Sequence, residues 1–160
     1  MNKNIKQFFP EHWLLAAIFY FLLYGFLGWG IDTAYSTITE CSWQPGGIFK
    51  SFFLPIPFAP IYGFGAWVLI LFKNFLEKNH NALLFFISTV ACTSVEYLGG
   101  IWMLVVFHRR AWDYRDTFLN IDGHIDLWHS FCWLILGLIF IKVIHPEGKK
   151  MFARLFLRKI

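Results

Sequence analysis

The sequence predicts an all-α polytopic membrane protein with four transmembrane helices, and three observations predict it. The chain is 58% hydrophobic and 21% aromatic but only 15% charged, with a mean hydropathy of +0.53. A soluble domain of 160 residues has too little interior to hide that much apolar surface. The apolar residues fall into four runs, each near or above the ~20 residues that cross a bilayer as helix. Lys and Arg flank those runs and form no aromatic-interleaved patch. The net charge of +4 therefore fits a membrane and not a nucleic acid partner. One integral membrane domain over residues 1–160 is expected.

The first span covers 13–33. It is too long for a signal-peptide core, and no small-residue cleavage site follows it, so it should stay as a helix. Trp43-Gln44-Pro45-Gly46-Gly47 is then a turn signal. Ser51 to Pro60 is apolar, yet Pro55, Pro57 and Pro60 forbid a regular helix there. A re-entrant or interfacial segment before the second span is the expectation, because irregular backbone at membrane depth must be covered by protein or water. The second span is 58–76, where Gly63 and Gly65 permit close helix approach. The third, 82–107, is roughly 39 Å of helix, enough to tilt or project. The fourth, 127–144, is the shortest, with Trp128 and Lys142 as interface anchors. A tail over 147–160 sets Phe152, Leu155 and Phe156 among cations, as an interfacial amphipathic helix does.

Orientation follows from the cations. Lys3, Lys6, Lys73, Lys78 and the tail (Lys149, Lys150, Arg154, Arg158, Lys159) hold most of the 14. The other two loops hold Lys50, Arg109, Arg110 and Arg115. Both termini should therefore be cytoplasmic, in a multi-pass protein of the cell membrane.

Two acids interrupt the apolar runs. Glu96 lies inside the third span and Asp32 near the end of the first. An ionised carboxylate in hydrocarbon costs on the order of 3 kcal/mol by insertion scales, so each needs a partner, water or a function. The orientation puts both in the outer half, where they are expected to share a polar cavity. Trp29, Tyr62 and Ser130 are its expected neighbours. Bonds from Glu96 to Tyr62, Ser130 or His129 would tie the helices together.

The loop after the third span is dense in charge. Arg109, Arg110 and Arg115 face Asp113, Asp116, Asp122 and Asp126. One reading is an ion-paired cap. The other is a polar outer site of Arg109, Arg110, Trp112, Asp113, Tyr114, Asn120, His124 and Asp126, with an Arg gripping an anion bidentately. His124, Asp126 and His129 have a spacing that admits a divalent metal, a weak signal without a Cys pair or HExxH. There is no GxxxxGK[ST] loop and no GxSxG elbow. Cys41, Cys92 and Cys132 form neither a disulfide framework nor a CxxC pair. No cofactor is expected.

Phe26-Leu27-Gly28-Trp29 with Asp32 three residues on resembles the first motif of a bacterial membrane family, the ABC transporter permease-like or putative ABC-transporter type IV family. Pro60 to Ala66 is similar to its second motif, and Glu96-Tyr97 with Gly100 to its third. Trp112-Asp113-Tyr114, Leu119 to Gly123, then Leu127, Ser130 and Trp133 resemble the fourth. The match spans about Phe26 to Pro146. Asp32 stands where the family usually has Glu, His124-Ile125-Asp126 where it has Arg-x-Cys, and the region of Leu104 lacks a further acid. The resemblance implies transport, and a separate ATPase subunit as partner.

The leading reading is thus a small transporter or permease component with Asp32 and Glu96 as proton or cation sites. Four helices rarely enclose a path alone, so a homo-oligomer or a partner membrane subunit is implied besides the lipid bilayer. One alternative is a structural or regulatory membrane protein whose acids only fix helix packing. The other is a membrane-embedded enzyme or binder for lipid-linked substrates, with Trp29, Trp102 and Trp133 lining a groove. Enzyme activity is the less favoured expectation.

Overall fold

The computed structural model describes residues 12–41, 56–78 and 81–157, without the side chains of 73–78, 81–82 and 84. The described residues are all-helical apart from loops and one isolated bridge between Ile121 and Ile125. Helix α1 is Trp13–Thr39, α2 Pro60–Lys78, α3 Asn81–Phe107 and α4 Leu127–Ile139. A π turn, Phe140–Ile144, leads into α5, His145–Phe152, and a second π turn, Ala153–Leu157, follows.

Three stretches are long and apolar enough to cross a membrane: Trp13–Thr39, Phe85–Phe107 and Leu127–Leu157. The described apolar part of α2 is shorter, Pro60–Phe72. Large apolar side chains point outward on every one of these helices, among them Leu22, Phe64, Leu98 and Ile135. A soluble monomer does not expose such a belt.

Helix α1 outruns the expected end at Thr33 by six residues. No Gly or Pro stops it there, and Thr39 Oγ1 donates back to the Tyr35 carbonyl at 3.0 Å. It ends where Cys41 takes a left-handed φ of 51°. The Trp43–Gly47 turn and residues 51–55 of the Pro-rich segment lie outside the described residues. Ile56–Ala59 carry no regular structure, and their backbone docks on α1: Ala59 N–H donates to the Gly25 carbonyl at 2.9 Å. Gly25 makes this possible, because a Cβ there would overlap the Phe58 ring. Gly28 likewise admits the Tyr62 ring of α2, and Gly63 admits Phe21 of α1.

The stretch expected to end at Ile144 does not stop there. Its helix runs on to Leu157, through Pro146. A proline in a helix removes one N–H and crowds the carbonyl four residues back, here that of Lys142. The π turn accommodates this: His145 N–H reaches back five residues to the Phe140 carbonyl. The tail thus continues the helix and packs on α1, with Phe152 against Phe19 and Tyr20 and Phe156 against Phe19.

Sequential helices are neighbours: α1 packs on α2, α2 on α3 and α3 on α4. At the tail end, α5 closes the bundle back onto α1. The core between them is Tyr24, Ala66, Leu69, Cys92, Trp133, Phe140 and Ile141.

Candidate functional site

Helix α3 ends at Phe107, and His108 turns the chain away at φ 52°. The loop that follows is a set of interlocked turns. Asp122 and Gly123 both have positive φ (52° and 69°), and His124 N–H closes the turn on the Ile121 carbonyl at 3.0 Å. Asp-Gly suits such a turn because Asp tolerates and Gly favours the left-handed region. Asn120 locks it: its amide donates to the carbonyls of Arg115 and Thr117, and its Oδ1 accepts from Gly123 N–H. Tyr114 N–H donates to the Gly123 carbonyl at 2.9 Å, which folds the two halves of the loop together. Arg110 Nη1 donates to the Asp122 carbonyl at 3.0 Å.

This loop aims two groups at the bundle. His124 is buried, its ring seated on Gly100 of α3, where a Cβ would come within 2.5 Å of Nδ1. Trp112 Nε1 donates to the His124 carbonyl at 2.7 Å. Tyr114 reaches down to Glu96, its hydroxyl donating to Oε1 at 3.1 Å. From α4, Trp133 Nε1 donates to Glu96 Oε2 at 2.8 Å. Glu96 is only 4% exposed, so these two donors carry the burial of its carboxyl. The Tyr114 ring stacks on His129 at 4.0 Å between centroids. His129 in turn faces the Asp126 carboxylate, which caps α4 by accepting His129 N–H at 2.7 Å.

Asp32 is half-buried and in electrostatic contact with Glu96, Tyr62 and Tyr114. The Tyr62 ring packs on Trp133 at 5.1 Å. Trp29 is half-buried on α1, with its indole nitrogen unmatched among the described residues. Ser130 is half-buried in the first turn of α4, its N–H donating to the Asp126 carbonyl. The partners of Glu96 are Tyr114 and Trp133 and not Tyr62, Ser130 or His129.

A family model described as Putative ABC-transporter type IV matches residues 19–159. The chain belongs to that family. No curated protein and no solved structure matches it. In this member of the ABC-transporter type IV family, the stretches that carry the resemblance meet at one end of the bundle. Glu96 and Gly100, Tyr62, Trp112 to Tyr114, Asn120 to Gly123 and Trp133 all touch this site or the loop over it.

The charged cap forms in part. Arg115 is held by Asp113 through a forked pair of bonds, Nε to Oδ1 at 2.9 Å and Nη2 to Oδ2 at 2.5 Å. That guanidinium keeps the Asp113 carboxyl below its usual range. Its fork is thus occupied by protein, while Arg109 stands exposed. Burial, and then the Glu96 charge, push the Tyr114 phenol up, so it remains a donor. Burial works to raise the Asp126 carboxyl, and bonds from Thr117 and His129 outweigh it, leaving it lowered. Burial, then the Arg110 charge, lower His124.

Among the described residues no three His, Cys, Asp or Glu side chains form a group able to hold a metal. His124 sits against Gly100 and Tyr97 while His129 pairs with Asp126, so the three do not converge. Trp102 is exposed and Trp133 is a buried donor, so they do not line one groove.

A cavity of about 50 Å³ lies between α1, α2 and α4, with Cys92 of α3 also on its wall, on the tail side of Glu96. Tyr62 and Trp133 wall one end, Tyr24, Phe140 and Ile144 the other. Neither Asp32 nor Glu96 lines it. Sequence reasoning missed its far wall. Tyr24 Oη and His145 Nδ1 are 2.9 Å apart, and both residues are buried. The only sequence signal was a His-Pro pair directly after an apolar run, which reads as a helix end.

Proposed function

We propose that this protein is a transporter or permease component with a polar site on Glu96 and Asp32, in the outer half of a four-span bundle whose termini are cytoplasmic. Membership of the ABC-transporter type IV family and the apolar helices support a membrane transporter-associated role. The observation that carries the rest is Glu96 itself, buried near the middle of an apolar helix and held by two neutral donors from other elements. A carboxylate has about four acceptor positions, and these bonds fill two. The remaining capacity, with Asp32 close by, suits a proton or a small cation.

In this reading α2 crosses the bilayer with its polar end completing the span, and the Pro-rich segment enters beside it. The separate ATPase subunit, the partner membrane subunit and the second copy of this chain belong to the same reading, as does placement in the cell membrane. The structural alternative is favoured by the same two bonds, which would hold the helices together without any flux. The headgroup-binding alternative is weakened by the Arg115–Asp113 fork, which uses the best anion grip of the loop.

The test is uptake by the reconstituted protein. Wild type should acidify liposomes, and Glu96→Gln or Asp32→Asn should abolish this while leaving the protein folded. Wild type that moves no proton or cation, with both substitutions acting only on melting temperature, leaves the structural alternative standing.

A further inference from the structure

We propose that Tyr24 and His145 form the tail-end station of a proton path whose loop-end station is Glu96, joined across the cavity between α1, α2 and α4. The inference rests on the transport reading above and adds residues outside the Asp32–Glu96 site.

The cavity lies between the two stations, with the Trp133 indole between it and Glu96. Trp133 holds Glu96 with its indole N–H and forms the loop-end wall of the cavity with its ring. Tyr24 forms the tail-end wall and lies 2.9 Å from His145 Nδ1. Trp133 and Ile144, which wall its two ends, lie eleven positions apart, roughly 16 Å along the helix. Its 50 Å³ is room for a few waters, since one needs about 10–15 Å³ by this measure. The walls are largely apolar, so the cavity is dry at rest and conducts only when wetted, which makes it a gate.

The local fold is built to hold the pair. The π turn, Phe140–Ile144, brings His145 under α1. Gly148, one turn on, leaves space for the Tyr24 hydroxyl, which a Cβ would displace. Phe140 stacks on the imidazole at 5.6 Å, and Tyr20 of α1 meets it edge-on at 5.1 Å. Tyr20 and Tyr24 are the titratable groups facing it from α1, and on its own helix Lys142 and Lys149 stand one turn away, exposed.

The step balances. The Glu96 carboxyl, loaded from the loop side, passes its proton beyond the Trp133 indole once water fills the cavity, and is then reloaded from the loop side. Tyr24 Oη accepts a proton from that chain as it gives its own to His145 Nδ1. The imidazolium turns its Nδ1–H towards the tail and releases that proton there, and the ring, again the Nε2–H tautomer, swings back to accept from Tyr24. Tyr24 ends as it began, and one proton has crossed.

Proton flux into liposomes holding the full chain tests this, with Tyr24→Phe, His145→Gln and Glu96→Gln beside wild type. All three variants should lose at least about tenfold in flux while melting within a few degrees of wild type. Tyr24→Phe and His145→Gln at wild-type flux, with Glu96→Gln silent, overturns the inference and leaves the transport reading intact. A silent wild type overturns both. If either tail-end variant fails to fold, ¹⁵N spectra of wild-type His145 decide. A ring that gains and loses a proton when pH is stepped on the tail side supports the path, and a ring that never changes overturns it.

Discussion

At the loop end Glu96 accepts bonds from two other elements, and one of those donors stacks on a histidine that is itself tied to a helix cap. At the tail end Tyr24 and His145 bond each other between the Phe140 and Tyr20 rings, with Phe152 packed behind Tyr20. Both ends bury polar groups in an apolar bundle, by different physics. The loop end satisfies a carboxyl by convergence, so α3, α4 and the loop depend on one residue. The tail end satisfies a neutral pair locally and excludes water with aromatic packing. A network spreads the loss of one member over several elements, while loss of the Tyr24–His145 bond acts first on those two residues.

The largest expected effect therefore sits at the loop end. Glu96→Leu strands the Trp133 N–H and the Tyr114 hydroxyl, each without an acceptor. An unsatisfied buried donor costs about 1–3 kcal/mol, so the pair should cost about 3 kcal/mol or more in thermal unfolding in detergent. Glu96→Gln keeps one acceptor oxygen and should cost about 1 kcal/mol. Tyr24→Phe at the tail end removes one neutral bond from each partner and should also cost about 1 kcal/mol. If Glu96→Leu melts no lower than Tyr24→Phe, the two ends do not differ as argued.

Two glycines sharpen the contrast at smaller scale. Gly123 has φ 69°, and a Cβ on it would come within 2.5 Å of Arg115 Cγ. Gly123→Ala should cost about 1–2 kcal/mol or more, from the left-handed backbone and from displacing the Arg115 stem, whose guanidinium Asp113 holds. Gly148 is helical, so Ala there gains about 1 kcal/mol in propensity while its Cβ displaces the Tyr24 hydroxyl. The net loss at Gly148→Ala should stay below that at Gly123→Ala. A gain in melting temperature at Gly148→Ala would show that the Tyr24–His145 bond contributes little to the fold.

The membrane class and the helical runs were legible because they rest on composition and run length, which need no tertiary information. The third run, 82–107, lies within one residue of the helix Asn81–Phe107, since Asn81 and His108 bracket it. The last run was cut at Ile144 because Pro146 reads as a stop, and only a π turn, which has no sequence period, lets the helix pass it. Glu96 stood out by its charge. Tyr114 and Trp133 were legible as parts of the outer loop and the fourth motif but not as its donors, because that role appears only once the loop folds. Tyr24 and His145 were invisible for the same reason, being 121 residues apart and individually unremarked.

The smallest effect is a pH dependence at the loop end. His124 titrates at 6.5 in an unfolded chain, and burial, then Arg110, hold it lower in the folded protein. Above pH 6.5 the ring is neutral in both states and its contribution to stability is complete. As pH falls below 6.5 the unfolded chain takes up the proton first, and stability declines until the folded ring is protonated as well. Melting temperature should therefore fall gently below pH 6.5 in wild type. His124→Gln removes the titrating ring, so the variant should be the flatter of the two across that window. If the slope survives His124→Gln unchanged, the acid-sensitive group lies elsewhere, and the His124 seat on Gly100 is only a packing contact.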